Sequence, residues 1–489
     1  MKNTAVFILL RAALALLLAV HCYYYGAYIL SILRYEYLID YGESFVLNQA
    51  CLLRNGWSIF DLYSSIETPP FLLINYPPVY PWLVSFFQGD QVSFIPGRIV
   101  SVFASVGIVL LIMGFLMQFR LRDRWVLLFP PVLFATYAFY LWSGLYRVDM
   151  LALFFLMGSL FFLRWEKVPP LAGALFLILA VYTRQTLLPL PGAIFLVSIF
   201  TGNRRWQKLF LYWLAGSFAV FLMFQFFTGG EFMWHTVIGN RNILMMSNLR
   251  TWANHLLRFS VFFILAWLFS LYSLWKQKDI DGGWKALLIL FSIFSALFVL
   301  TISKVGSAVN YLLEWYIAMI IVIALATGLE KSAWRKGVIY LLILCFLGNL
   351  SYMRRYSWAS SPRASDIMTY RQMERMLQAY PYPVISYDGG IVLRAGKEIV
   401  FQPFVLTQLG YQHIWSPDLL LNYLQQYPQY MMIVNFSPER EGGIRTDIFH
   451  RRLVEKLIEQ GEKTAQYQFS YQSNLFCYII YNETENERD

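Results

Sequence analysis

Charge is scarce in this chain. Only 14% of its 489 residues are Asp, Glu, Lys or Arg, against 58% hydrophobic, and mean hydropathy is +0.50. Soluble domains carry about a quarter charged residues, so the composition excludes a water-soluble globule and implies a polytopic membrane protein. Cysteine is scarce too. Cys22, Cys51, Cys345 and Cys477 show no CxxC spacing, which removes the usual zinc and redox readings. Cys22 and Cys345 lie in apolar runs as small hydrophobes, and nothing in the sequence supports a Cys51–Cys477 disulfide. GxxxxGK, GxGxxG, GxSxG and HExxH are all absent, so nucleotide hydrolysis, serine hydrolysis and zinc proteolysis lose their signatures. There is no internal repeat. The net charge of +10 forms no basic stripe, because Lys and Arg fall in short loops between apolar runs; that is topology rather than nucleic-acid binding.

What is present is a regular alternation. Apolar runs near 5–32, 94–118, 125–141, 149–163, 170–183, 186–200, 209–227, 257–275, 285–302, 312–329 and 338–352 predict about eleven transmembrane helices. The first is too long for a signal-peptide core and lacks a small-residue cleavage site, so it reads as a retained helix, with Arg11 snorkelling to the inner face. Every second connection is basic: "RLRDR" (120–124), "RWEK" (164–167), "NRRWQK" (203–208), "KQKD" (276–279) and "EKSAWRK" (330–336). The positive-inside rule places these in the cytoplasm with the N-terminus. The long 33–93 loop, the other alternate connections and residues 353–489 then face outward. Between two basic flanks, the 170–200 run must cross an even number of times, yet each half is short of a full span. Two short helices meeting at Arg184-Gln185, with a sunken apex, satisfy both conditions, and an Arg held there needs water or an anion.

Two domains are expected: a membrane domain over 1–352 and a small extracytoplasmic α/β domain over 353–489. In the second, "YPVISYD" and "YMMIVNF" read as strands and "IFHRRLVEKLIEQG" as an amphipathic helix ending at a Gly. In the first outer loop, "VYPWLVSFF" (79–87) carries an apolar face at helical spacing and 44–54 a weaker one; both are expected to lie in the membrane interface.

The outward ends collect polar groups. Asp40 and Glu43 are i,i+3 and share a face, so crowding raises one pKa and suits a general base or a metal site; the same spacing also fits a helix capping box. Arg147 and Asp149 are i,i+2 and point to different faces, with Asp149 placed to cap a span. Asn310 and Glu314 are i,i+4, with Lys304 in the loop before them. Arg147, Arg184 and Lys304 aimed into an outward cavity make a phosphate cradle, although each alone serves equally as an interfacial anchor. Glu231 and His235 are i,i+4, a weak metal signal without a third ligand.

These stretches resemble the GT-C glycosyltransferases, the class that includes protein O-mannosyltransferases and the aminoarabinose transferases of lipid A. The resemblance rests on "DYGE" (40–43), "NYPPVYPWL" (75–83), "GR" (97–98), "YRVDMLAL" (146–153), "TRQTLLPLP" (183–191) and "KVGSAVNYLLE" (304–314), in order, over roughly residues 1–350. It implies an inverting transfer of a sugar from a polyprenyl-phosphate donor to a lipid, glycan or protein acceptor on the extracytoplasmic face, in a bacterial inner membrane. An acidic residue of the first outer loop is the base in that class. Here the usual acidic pair is replaced by Asp40-x-x-Glu43, and Glu43, heading a helix, is the preferred base, with Asp40 as partner or ligand of a divalent cation, Mg or Mn, that the sequence does not demand. Arg98, opening the second span, joins Arg147, Arg184 and Lys304 as a donor-phosphate ligand; Tyr76, Asp149, Gln185, Asn310, Tyr311 and Glu314 are expected to contact substrate. The competing class is a secondary transporter or flippase for a lipid-linked or anionic solute. Transporters place ionisable groups near the midplane within repeated halves, whereas here they gather at the outward ends without a repeat.

Overall fold

A computed structural model describes residues 2–329, 334–359, 363–435, 443–469 and 474–482. The chain begins with a 32-residue helix, α1 (Lys2–Leu33). The first outer loop follows, holding α2 (Glu43–Arg54) and α3 (Val79–Ser85), then α4 (Ile95–Met117). The run at 125–141, expected as a span, is instead two 3-10 segments, Arg124–Leu128 and Pro130–Ala135, and a short α5 (Tyr137–Trp142). Pro130 and Pro131 supply no amide donors and break the helical ladder there.

Next come α6 (Asp149–Arg164), α7 (Pro170–Val181), α8 (Pro189–Thr201) and α9 (Arg204–Phe227), a short α10 (Glu231–Met233), then α11 (Met246–Phe259) and α12 (Val261–Lys276). The membrane part ends with α13 (Gly282–Phe298), α14 (Leu313–Leu329) and α15 (Trp334–Ala359), which runs on past the expected boundary at 353. Among the described residues, five helices are long and apolar enough to cross a membrane, or six if α11 and α12, bent by 81°, form one span. The pair α7 and α8 are short helices meeting around Arg184, as the basic flanks require.

Every residue of α14 is buried, the behaviour of a helix apolar on all sides placed at the centre of a bundle. By contrast α9 buries only Trp206, Leu209, Trp213 and Phe224 and turns Phe218 and Phe226 outward, a lipid-facing pattern. The basic loops gather at one end. Arg11 and Arg335 both pair with Asp123, Arg122 pairs with Asp279, and Arg205 donates to the carbonyls of Phe162, Leu163, Trp165 and Glu166.

At the other end sits the C-terminal domain, expected outside the membrane and called the outer domain on that ground: α16 (Ala364–Ala379), β1 (Val384–Ser386), α17 (Gly389–Arg394), α18 (Pro403–Tyr411), α19 (Pro417–Leu424), β2 (Gln429–Asn435), α20 (Arg451–Gln460), β3 (Gly461–Tyr467) and β4 (Leu475–Tyr481). The sheet order is β1-β2-β4-β3, parallel between β1 and β2 and antiparallel elsewhere. Both strands and the helix ending at Gly461 fall where the sequence patterns put them. All four cysteines are free.

The first outer loop is built into this domain. Phe71 donates its N–H to Val400 O and accepts from Gln402 N at 2.8 and 3.0 Å, and Ile66, Phe71 and Leu73 share an apolar core with Leu406, Trp415 and Met432. The expectation that 44–54 lies in the interface is therefore corrected. Nine residues of α2 are buried, and Ser44 Oγ accepts from Gly390 N at 3.1 Å, because the outer domain covers the helix. The other helix, α3, keeps Trp82 and the following Phe86 and Phe87 exposed, as a lipid-facing stripe would.

Candidate active site

The two acids at the start of α2 go separate ways. Glu43 is fully buried and forms a fork-to-fork ion pair with Arg98, Nε to Oε1 at 2.9 Å and Nη2 to Oε2 at 2.7 Å. Its remaining capacity is taken by backbone donors: Ile39 N at 3.0 Å, Asp40 N at 3.2 Å and Tyr146 N at 2.7 Å. Arg98 also donates to the carbonyls of Ile32, Tyr35 and Tyr37. Ile32 lies in the last turn of α1 and Tyr35 two residues past its end, so the buried guanidinium serves the carbonyls where the chain leaves that helix. The reason for Gly97 beside it is steric: a Cβ there would lie 2.3 Å from the Tyr146 ring.

Burial alone would raise the Glu43 pKa, but Arg98 and the amide donors outweigh it, and the carboxyl is held below its ordinary range. An acid this saturated is a poor proton acceptor. The preferred assignment of Glu43 as base is thus corrected, and with it that of Arg98 as a phosphate ligand. Half of the capping-box reading holds: Glu43 reaches back to Asp40 N, but the helix N-cap is Gly42 and the Asp40 carboxylate accepts from Gly42 N rather than Glu43 N.

Asp40 is different. Its Oδ1 accepts from Gly42 N and from Arg147 Nη1, both at 3.1 Å, while Oδ2 makes no hydrogen bond among the described residues. The side chain is 29% exposed and lines a cavity of about 280 Å³. Burial raises the Asp40 pKa above the ordinary carboxylate value, Arg147 opposes this, and the Glu43 charge adds to it. A Cβ at Gly42 would lie 1.3 Å from Arg147 Nη1, so any larger residue there displaces the guanidinium from where it meets Asp40.

The remaining expected residues divide. Arg147, Tyr76, Asn310 and Tyr311 line the cavity with Asp40; Arg98, Arg184, Lys304, Asp149, Gln185 and Glu314 do not. Arg184 is paired with the fully buried Asp149 at 2.6 Å, which meets its charge without water or an anion. Asp149 also accepts from Trp142 Nε1 at 2.7 Å and Asn310 Nδ2 at 3.0 Å, so this network braces two cavity walls. Gln185 ties the carbonyls of Asn75 and Thr236 together at 2.7 and 2.8 Å. Glu314 is buried, with Oε1 unpartnered among the described residues.

The weak metal pair fails. His235 accepts from Ile74 N at 2.9 Å through Nδ1 and donates to Ser64 O at 2.7 Å through Nε2, leaving no nitrogen for a metal, and burial lowers its pKa to about 4. Among the described residues no group of three His, Cys, Asp or Glu could hold a metal ion. Asp40 faces a guanidinium instead, so its surroundings do not fit a divalent cation.

Among the cavity residues that escaped the sequence reading, Tyr387, Gln402, Phe404 and Arg445 come from the outer domain. No motif marks them, and only the docking of that domain brings them to Asp40. Tyr41 OH accepts from Phe404 N at 2.9 Å across the seam, and the Tyr41 and Tyr387 rings lie 5.1 Å apart.

The fold and the cavity define an integral membrane protein with a polar site between the first outer loop and the outer domain. No family model matches the chain, and no curated protein matches it. Among solved structures, the chain is similar to the crystal structure of ArnT from Cupriavidus metallidurans bound to undecaprenyl phosphate. The TM-score is 0.62 at 11% sequence identity, covering 95% of this chain and 97% of that one. The likeness establishes the fold, as the sequence motifs led one to expect.

Proposed function

We propose that this protein is an inverting glycosyltransferase, moving a sugar from a polyprenyl-phosphate donor to an acceptor hydroxyl on the extracytoplasmic face of a bacterial inner membrane, with its N-terminus cytoplasmic. The carrying observation is Asp40: a carboxylate lining the cavity, with one oxygen held by Arg147 and the other without a hydrogen bond among the described residues. The similarity to a protein bound to undecaprenyl phosphate supports the donor class.

A phosphate-linked sugar already has a good leaving group, so the chemistry needs a base and a cation rather than an acid. Asp40 Oδ2 takes the proton of the acceptor hydroxyl as its oxygen attacks the anomeric carbon. The bond from that carbon to the phosphate oxygen breaks, its electron pair stays on the phosphate, and Arg147 offsets the charge. A single displacement inverts the anomeric centre. Tyr76, Asn310 and Tyr311 shape the sugar's surroundings, and Arg184 and Asp149 hold the wall behind them. The polyprenyl tail has a route along an apolar cleft of about 530 Å³ beside α3, walled by Leu83, Phe87, Ile99, Phe103, Leu151 and Phe154.

The test uses the purified protein in proteoliposomes with undecaprenyl-phosphate sugars and an acceptor series. Release of undecaprenyl phosphate together with a glycosylated acceptor is the expected result. Intact donor alongside solute flux across the vesicle wall would establish the transporter reading instead.

A further inference from the structure

We infer that Arg445 of the outer domain is a second phosphate-binding cation, closing over the same anion that Arg147 meets from the membrane side. The inference rests on the proposed function and deepens it, because it makes the outer domain part of the donor site.

Asp40, Arg147 and Arg445 are the charged side chains that line the cavity. Arg147 pairs with Asp40 and Arg445 with Asp447, so what the wall offers a ligand carrying a negative group is the free N–H groups of two guanidiniums rather than an excess of charge. Neither guanidinium is fully used. Arg147 Nε is buried without a partner among the described residues, and Arg147 Nη1 alone reaches Asp40. Arg445 binds Asp447 through Nε at 3.2 Å and Nη2 at 2.6 Å, and its Nη1 makes no hydrogen bond among the described residues. A guanidinium donates through a planar fork that matches phosphate oxygens, and two such forks in one small cavity form a clamp.

A purely structural role explains Arg445 poorly. Its ion-pair partner is two residues away, so the pair ties no separate elements together. Both side chains are about one-third exposed, 32% and 33%, and such pairs add little stability. Arg98, by comparison, joins α1, α2 and α4 from a fully buried position. The backbone at Arg445 is nevertheless fixed. Its carbonyl accepts from Ile448 N and Phe449 N, both at 3.0 Å, and the seam between Tyr41 and Phe404 holds this part of the domain over the cavity. Pre-organisation of a half-used guanidinium is what an anion site needs and a surface ion pair does not.

The anion can be a lipid headgroup or a free phosphate, and the experiment separates them. The full-length protein in nanodiscs is titrated with undecaprenyl phosphate, with neutral undecaprenol and with inorganic phosphate, as wild type, Arg445→Ala and Arg445→Lys. Loss of a charge-assisted contact predicts about 10- to 100-fold weaker binding of undecaprenyl phosphate by Arg445→Ala. Arg445→Lys, which keeps the charge but loses the fork, should fall between, and undecaprenol affinity should not change. Inorganic phosphate competing in wild type but not in Arg445→Ala supports the site and shows that the anion alone suffices. Failure of inorganic phosphate to compete, with the undecaprenyl phosphate loss intact, supports a lipid-borne headgroup. Wild-type affinity of Arg445→Ala for undecaprenyl phosphate overturns the inference, as does an equal loss for undecaprenol, the mark of a domain that has merely shifted. Should Arg445→Ala not fold, the lysine variant carries the same comparison. The two readings fail separately. Donor cleavage by wild type with unaffected binding in the variants removes Arg445 and leaves the transferase, whereas Arg445-dependent binding without any donor cleavage does the reverse.

Discussion

Two acid–arginine pairs lie within four residues of each other, and the difference between them defines the site. Glu43 and Arg98 are both fully buried, and every oxygen of the carboxylate is occupied. Asp40 and Arg147 remain 29% and 14% exposed, with one carboxylate oxygen and most of the guanidinium unused. The first pair is a fastener between the end of α1, the start of α2 and α4. The second has the spare valence that chemistry requires. A single buried carboxylate seldom does both, since the contacts that hold it in place also remove its basicity.

Breaking the first pair should have the largest effect on stability. Glu43→Gln leaves Arg98 buried and uncompensated, at a cost of about 3–5 kcal/mol, whereas Asp40→Asn should cost roughly 0–1 kcal/mol because its pair is partly solvated. Denaturant or thermal unfolding in detergent measures both, and equal losses would erase the distinction. Arg184→Ala belongs with the fasteners. It strands Asp149 in the core and should cost about 3 kcal/mol, while folded molecules keep their affinity for a polyprenyl phosphate. Weakened lipid binding with intact stability would move Arg184 into the site after all.

A similar cost should appear with pH at His235. Its folded pKa, about 4, lies below the unfolded value, so the neutral imidazole contributes stability above pH 6.5 that is lost as the pH falls towards 4. The loss amounts to about 3 kcal/mol. Unfolding measured across this range should lose that slope in His235→Gln, and an unchanged slope would assign the acid sensitivity elsewhere. The smallest expected effect concerns Asp40. Its raised pKa puts the acid limb of kcat/KM above the ordinary carboxylate range, and Arg147→Ala, which removes the opposing charge, should move that limb higher still. A limb unmoved by Arg147→Ala would show that another group titrates there.

Much of this was legible in the sequence. The short halves around Arg184-Gln185 foretold a paired turn, whereas about eleven spans were expected and five or six helices among the described residues are long and apolar enough to cross. The strands and final helix of the outer domain followed from period and punctuation. The acids at 40 and 43 are legible, but not which of them is tied down. Spacing shows that two carboxylates share a turn; it does not show that Arg98, more than fifty residues on, lies behind one of them. The burial of α2 was missed for the same reason, because its cover comes from residues near 390. Likewise loop charge leads one to expect Lys304 and Arg184 on the outward side, yet neither lines the cavity. Direction along the membrane normal is written in loop charge, whereas rotation about a helix axis is set by packing partners far away in the chain.

The most direct measurement places Asp40→Asn and Glu43→Gln side by side and compares donor turnover per folded molecule in proteoliposomes. Asp40→Asn should lose roughly 10²- to 10⁴-fold in kcat, while folded Glu43→Gln keeps most of its rate. An Asp40→Asn chain that turns over at the wild-type rate would contradict the account.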